Sequence, residues 1–328
     1  MNCLACLKEL KTGEQGEYHK ACLASLLGSS KACAALPFAK SELNIGSLKS
    51  ATERMSISGV QIKLSLKLSK GVLEKTGAGG RFILKPSPEQ YPHIAENEHV
   101  SMLIGKLLGV ETPPLALVRF SDGELAYLVK RFDRKGPRKL RKEDMCQLFG
   151  VSREEKYTRS YEEVGRKILE ATGGDLFCAH DFLKRLVYNY LIANGDFHLK
   201  NISLMDSGAS TGRPALFDSL SPNYDSVNTR LYIPQEAELA LSDGLLTDDF
   251  TEEYKALGFY SYADFKELGV SLGISPAAIQ EIAETARKRE CDMFKLVDAS
   301  FLPSDMKSSY AGIVKEQLKK FFSTMPSK

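Results

Sequence analysis

The stretch Ala193-Asn194-Gly195-Asp196-Phe197-His198-Leu199-Lys200-Asn201 sets an aspartate five positions ahead of an asparagine, and Asp225 follows in Pro222-Asn223-Tyr224-Asp225. Phosphoryl transfer calls for such groups. A carboxylate accepts the proton of the attacking hydroxyl, and oxygen ligands hold Mg2+ on the phosphates. Asp196 suits the first task; Asn201 and Asp225 suit the second. The spacing alone is a weak signal, because Asp and Asn also populate ordinary turns by bonding their own backbone. Two upstream residues strengthen it. Lys85 ends the apolar run Phe82-Ile83-Leu84 and precedes Pro86, so it can point into a nucleotide cleft; Glu98 lies near the start of an amphipathic segment. A helix carboxylate that pairs with a strand lysine fixes that lysine on phosphates. Either residue has an ordinary reading too: strand edges carry solvated lysines, and the helix dipole favours first-turn acids. What favours a phosphotransferase is the order: lysine, glutamate, Asp/Asn loop, second aspartate.

A second constellation opens the chain. Cys3-x2-Cys6-x12-His19-x2-Cys22 has the spacing of a small zinc site, with Cys33 as a spare or substitute ligand. Two thiolates on one tight turn and a second pair from the next element can close a tetrahedron, and a site with four protein ligands is structural rather than catalytic. The alternative is a set of small buried cysteines beside a solvated histidine. The chain has seven cysteines and no basic-then-apolar leader, so no signal peptide is expected. That profile fits a reducing bacterial cytoplasm, where clustered cysteines more often hold metal than form disulfides.

Several elements must position these groups. Residues 61–68 alternate, with Ile62, Leu64, Leu66 and Leu68 against Lys63, Ser65 and Lys67, as a half-buried strand does. Gly77-Ala78-Gly79-Gly80 reads as a hairpin connection to a strand over 81–85. Residues 95–109 form an amphipathic helix through Val100, Leu103, Ile104, Leu107 and Leu108, with Gly109 as the C-terminal cap. Strands over 115–120 and 125–129 flank an Asp122-Gly123 turn. Residues 130–142 are the most basic stretch and read as a solvated hinge rather than a nucleic-acid surface, having one aromatic residue and a Gly-Pro break. Beyond Glu143 the pattern is mostly helical: 161–171, 181–193 running into the Asp196 loop, 245–297 with Ser275-Pro276 as a helix start, and 304–323. Residues 23–54 yield only short helices and a polar connector. The plan is α+β and two-lobed: a Cys/His segment over 1–35, a β-rich lobe over 36–130 and a helical lobe over 131–328.

The composition excludes other classes. The 328 residues are 43% hydrophobic and 26% charged, ordinary for a globular chain of this size. The net charge of +2 gives no global field for nucleic acid or a membrane surface. No apolar run of about 18 residues is present, so no membrane span is expected.

Seven stretches, in this order, resemble HipA-type serine/threonine kinase toxins of bacterial toxin–antitoxin systems. They are Ser56-Ile57-Ser58-Gly59-Val60-Gln61-Ile62-Lys63, Phe82-Ile83-Leu84-Lys85-Pro86, Glu96-Asn97-Glu98, Val129-Lys130-Arg131-Phe132-Asp133-Arg134, Glu143-Asp144-Met145-Cys146-Gln147-Leu148-Phe149-Gly150, Gly195-Asp196-Phe197-His198-Leu199-Lys200-Asn201 and Ser221-Pro222-Asn223-Tyr224-Asp225. The resemblance covers roughly residues 54–325 and is nearest to the short HipT branch. It implies a protein-kinase-like fold and an ATP- and Mg2+-dependent kinase. Asp196 would be the catalytic base, Asn201 and Asp225 the Mg2+ ligands, and Lys85 the phosphate contact. Lys130 to Phe132 would form the hinge beside adenine, with Glu98, His198 and Lys200 also on the nucleotide side. Ser56 and Ser58 match autophosphorylated positions. A phosphate there would add about −1.5 to −2 of charge where ATP phosphates must sit.

The sequence departs from the family in two ways. HipA proper carries an additional N-terminal subdomain before the Ser56–Ser58 loop, whereas here that loop begins near residue 55. HipT-like proteins share this truncation, which implies a HipS-like small antitoxin and a HipB-like DNA-binding protein as partners. The second departure is the Cys/His segment, which the well-known members lack or keep only in part. The implied substrate is a protein, an aminoacyl-tRNA synthetase by class. Two rivals stand beside this reading: a small-molecule phosphotransferase, which can share the Asp-to-Asn loop, and a non-enzymatic kinase-like binding module.

Overall fold

The alternating segments near the N-terminus fold into one antiparallel sheet in the computed structural model, which describes residues 1–11, 16–43, 61–136, 138–208 and 216–326. A helix α1 (Lys20–Leu27) precedes it. The strands are β1 (Leu64–Ser69), β2 (Val72–Lys75), β3 (Phe82–Pro86), β4 (Leu115–Arg119) and β5 (Leu125–Lys130), in the order β2-β1-β3-β5-β4. The β1–β2 turn differs from expectation. It is Lys70-Gly71, both with positive φ, whereas 77–80 carries the chain from β2 to β3. Two-residue hairpins need that backbone sign, which glycine supplies without strain.

Because side chains alternate along a strand, each face of the sheet has its own partner. Leu66, Leu84, Ala116, Val118, Ala126 and Leu128 face residues of the N-terminal segment, among them Leu26, Leu36 and Phe38. That segment therefore covers the sheet rather than standing apart. Leu117 N–H also donates to the Leu4 carbonyl at 2.8 Å, and Leu36 N–H to the Arg119 carbonyl at 2.8 Å. The opposite face, with Leu115, Leu117, Tyr127 and Val129, packs on α2 (Ile94–Leu107). Lys85 shares this second face, directly opposite Tyr127 in the β3–β5 register.

The basic stretch is more ordered than a solvated loop. It holds a ribbon of β6 (Arg134–Lys135) and β7 (Arg138–Lys139), then β8 (Arg141–Asp144). β8 pairs with β9 (Ser203–Asp206), which pairs with β10 (Ser219–Leu220), giving a small sheet under the Asp196 loop. The helices are α3 (Met145–Phe149), α4 (Tyr161–Ala171), α5 (Leu176–Leu191), α6 (Glu252–Leu257), α7 (Tyr262–Ser271), α8 (Pro276–Ala299) and α9 (Ser304–Phe322). The helical stretch expected over 245–297 is three helices: the last begins at the expected Ser275-Pro276, and Gly258, in the left-handed region, separates the first two. Side chains cap the helix starts: Asp144 with Gln147, Ser160 with Glu163, and Ser275, the expected start, ahead of Pro276. α5 is buried along Phe182, Leu183, Leu186, Val187 and Tyr190, and one apolar core runs from α2 and β4 through α5 to α8 and α9.

Candidate functional site

Lys85 is the meeting point of three elements. It stands on β3, is 3% exposed, and donates to Glu98 Oε1 from α2 and to Asp225 Oδ1 from the loop after β10. Lys63, just before β1, donates to the other Asp225 oxygen at 2.8 Å. The Tyr127 ring lies 5.4 Å from the Lys85 ammonium. Burial works against the charge on Lys85, yet Asp225 and Glu98 hold its pKa above the usual lysine value. Burial also opposes the charge on Asp225, but Lys63 and Lys85 hold that carboxyl well below the usual range. Glu98 is the weaker anion. Burial lifts its carboxyl to about 7 although Lys85 pulls the other way, and Asp225 adds to the rise. Asp225 has φ 56, a left-handed conformation that Asp tolerates better than most residues and that clusters at functional sites.

The Asp196 loop begins where α5 stops, with Ala193 at φ 53. Its shape is fixed by its own side chains. Asn194 Nδ2 donates to Asn189 Oδ1 at 2.7 Å, and Asp196 N–H donates to Asn194 Oδ1 at 3.1 Å. Asn201 Nδ2 donates to the Asp196 carbonyl at 2.7 Å, which commits the amide nitrogen and leaves the oxygen as its ligand-capable atom. Gly195 N–H reaches Thr229 Oγ1 at 2.8 Å, and Phe197 stacks on Tyr161 with centroids 6.2 Å apart. Tyr157 donates its hydroxyl to Asp196 Oδ1 at 2.9 Å. His198 Nε2 lies 3.6 Å from the same oxygen, packed edge-on to Tyr157. Burial, with help from Lys156, lowers His198 to about 3, so the imidazole is neutral at physiological pH.

A cavity of about 180 Å³ opens beside Lys85 and Asp225. Ile83, Val129 and Phe132 give it apolar walls, and Lys130 lies at its rim. Phe132 faces Tyr224 at 5.7 Å, and Lys142 sits 4.7 Å from the Tyr224 ring while donating to Ser203 Oγ at 2.9 Å. A larger groove of about 770 Å³ lies between α7 and α8, but its charged residues, such as Lys266, Glu281 and Arg287, are separate from every group above.

The structure therefore brings Lys85, Glu98 and Asp225 into contact, sets Lys130 and Phe132 at the same cavity, and links Asn201 to Asp196. His198 is buried behind Asp196, and Lys200 pairs with Asp144 Oδ2 at 3.1 Å. Ser56 and Ser58 lie outside the described residues. Cys3, Cys6, His19 and Cys22 converge at the N-terminus, far along the chain from this site. Sequence reasoning gave no role to Lys63, Lys142, Tyr157 or Tyr224. Lys63 and Tyr224 fall inside matched stretches and could have been flagged; Tyr157 lies in a segment with no pattern to find it by.

Among known proteins, the family model described as HipA-like C-terminal domain matches residues 55–292. A kinase-named protein of Haemophilus influenzae is 32% identical over 287 residues, which is 82% of each chain. The serine/threonine-protein kinase toxin HipA of Shewanella oneidensis is 30% identical over 227 residues, 60% of this chain and 48% of that protein. Among solved structures, the Shewanella oneidensis HipA, HipB and operator DNA complex matches with a TM-score of 0.65 at 22% identity, covering 84% of this chain and 67% of that one. The Helicobacter pylori proinflammatory kinase CtkA matches with a TM-score of 0.51 at 15% identity, covering 80% and 91%. The fold is thus the two-lobed, kinase-like α+β fold expected from the sequence. Among the described residues, no helix is long and apolar enough to cross a membrane.

Proposed function

Because this chain belongs to the HipA-like C-terminal domain family, whose model spans residues 55–292, we propose that it is an ATP- and Mg2+-dependent protein serine/threonine kinase. The observation that carries this reading is the Lys85–Glu98–Asp225 contact at the mouth of an apolar cavity, together with the Asp196 loop, whose carbonyl Asn201 ties down. The donor set suits Mg2+. Asp225 is a strongly ionised carboxylate and Asn201 offers an amide oxygen, both hard ligands of the kind Mg2+ takes. Bound there, the metal would neutralise phosphate charge during transfer.

The protein's own residues divide the remaining work. Lys85, released from Asp225 or shared with it, would hold ATP phosphates, while Glu98 keeps its ammonium in place. Ile83 and Val129, cross-strand neighbours on one face of the sheet, would together form one wall against the adenine near the Lys130–Phe132 backbone. Tyr157 orients the Asp196 carboxylate, which would accept the proton of the incoming serine hydroxyl. The hydroxyl oxygen bonds to the γ-phosphorus as the bond to the β–γ bridging oxygen breaks and ADP departs. His198, neutral and buried, supports Asp196 by packing.

The finer reading follows the same family. We place the chain in the short HipT branch as the cytoplasmic toxin of a HipBST-like system, with a HipS-like antitoxin and a HipB-like DNA-binding partner. Autophosphorylation falls on Ser56 and Ser58, and an aminoacyl-tRNA synthetase is the substrate class. Support for the partner context is that HipA of Shewanella oneidensis was solved with HipB and its operator DNA. The test is phosphate transfer from labelled ATP. The purified protein should label itself at Ser56 or Ser58 by mass spectrometry, and Asp196→Gln should abolish the label. Labelling that survives in the variant would remove Asp196 as the base. Transfer to a sugar or aminoglycoside, with none to protein, would place the chain among small-molecule phosphotransferases.

A further inference from the structure

The Cys/His constellation is used by none of the chemistry above and precedes the residues matched by the family model. In the fold, one ligand atom from each of Cys3, Cys6, His19 and Cys22 lies within 4.8 Å of all the others. We propose that these four residues bind one structural Zn2+ that fastens the N-terminal segment to the rest of the molecule.

The geometry is close to that of a loaded site. Zn–S bonds of about 2.3 Å and Zn–N bonds of about 2.0–2.1 Å at tetrahedral angles imply S···N edges of about 3.5 Å. Cys6 Sγ and His19 Nδ1 are 3.4 Å apart. Metal-binding imidazoles almost always donate their second nitrogen to an acceptor, which fixes the tautomer. His19 Nε2 lies 3.2 Å from the Glu9 carbonyl, so that donation leaves the Nδ1 lone pair facing the thiols. The backbone supports the sulfurs as well. Leu7, at φ 60, turns the chain between Cys6 and Lys8, with Leu7 N–H donating to the Cys3 carbonyl at 3.0 Å. His19 N–H points at Cys3 Sγ, 3.4 Å away. His19 is the N-cap of α1 and Cys22 lies in its first turn, so one short element presents both ligands. None of the three cysteines is in a disulfide. The donors are soft and number four, which selects Zn2+ over the hard cation proposed at Asp225 and leaves no position open for catalysis.

The consequence is mechanical. Between the paired ligands, Ala5 presents its carbonyl to His99 Nε2 at 3.2 Å, on α2 next to Glu98. Leu4 and Leu7 are buried in the core shared with Leu103 and Leu108. Asn2 Nδ2 donates to the Ala299 carbonyl at the end of α8 at 2.9 Å. A metal that closes the turn of residues 3–6 therefore holds the back of α2 and the end of α8 together.

The test is metal analysis of the full chain expressed with added zinc. One Zn2+ per chain is expected, lost in the double variant Cys3→Ser/Cys6→Ser and kept in Cys33→Ser, whose exposed thiol is outside the cluster. If the double variant does not fold, Co2+ substitution of the wild-type protein reads the same site: the intense visible bands of a tetrahedral thiolate complex are expected. Absence of zinc after reconstitution, zinc undiminished in a folded double variant, or octahedral Co2+ spectra would each overturn the proposal. Because none of these readouts measures phosphate transfer, they are independent of the kinase assignment.

Discussion

Glu98 and Asp225 share one lysine yet are driven in opposite directions, because burial outweighs the pull of Lys85 and Lys63 on Glu98, whereas Asp225 is in direct contact with both lysines. An acid whose pKa rises from 4.5 to about 7 on folding binds its proton more tightly in the folded state. Its contribution to stability is complete below the unfolded value and is lost as pH climbs through the folded one. Replacing it by Glu98→Gln removes that dependence. Unfolding by urea at about pH 5 and about pH 8 is expected to show a steeper decline for the wild type, by up to a few kcal/mol at about 1.4 kcal/mol per pKa unit. Parallel profiles would mean that Glu98 stays ionised throughout. The groups in this contact were legible in the sequence as types in order. Lys63 and Tyr157 were not assigned, since each earns its place only through a partner more than thirty residues away, at Asp225 and Asp196.

At the scale of elements, α2 carries Glu98 and must lie close to α5, which leads into the Asp196 loop. Gly105 permits that approach. A Cβ built there would come within 2.9 Å of the Tyr188 ring, while the Tyr188 hydroxyl donates to the Ser101 carbonyl at 2.6 Å. Helix propensity alone favours replacing a mid-helix glycine by about 1 kcal/mol. Overpacking a tight core opposes this by typically about 1–3 kcal/mol for small insertions. Gly105→Leu adds far more than a methyl group, so it is expected to be destabilising by at least about 2 kcal/mol in chemical denaturation and to weaken nucleotide binding as α2 is pushed outward. A neutral or stabilised variant would show that the two helices are not held at this distance. Periodicity found α2 and α5 within a few residues of their ends. It misplaced the first hairpin turn, because the glycine cluster at 77–80 looked stronger than the single Gly71. It marked the start of α8 at Ser275-Pro276 but gave no break between α6 and α7, since Gly258 interrupts the helix without interrupting the apolar pattern.

For the molecule as a whole, the division into a β-rich and a helical part was legible from the switch in hydrophobic period. The role of residues 16–43 was not. Their small and apolar residues show no regular spacing because they line an irregular layer rather than one helix face, with Leu26, Leu36 and Phe38 lying on the sheet. The N-terminal residues also lie along the free side of β4, the last strand in the sheet order, through Leu4 and Leu36. An uncovered edge strand offers unpaired backbone donors and acceptors to any other chain. The N-terminal segment thus does more than brace a helix: it keeps the sheet from growing. Deleting residues 1–43 is expected to yield a protein that self-associates in proportion to its concentration, seen as rising light scattering, whereas the intact chain stays dispersed. A deletion variant that remains monomeric would show that β4 is protected by something else. On this view the first forty residues act on colloidal behaviour, setting how much of the protein a cell can hold in usable form.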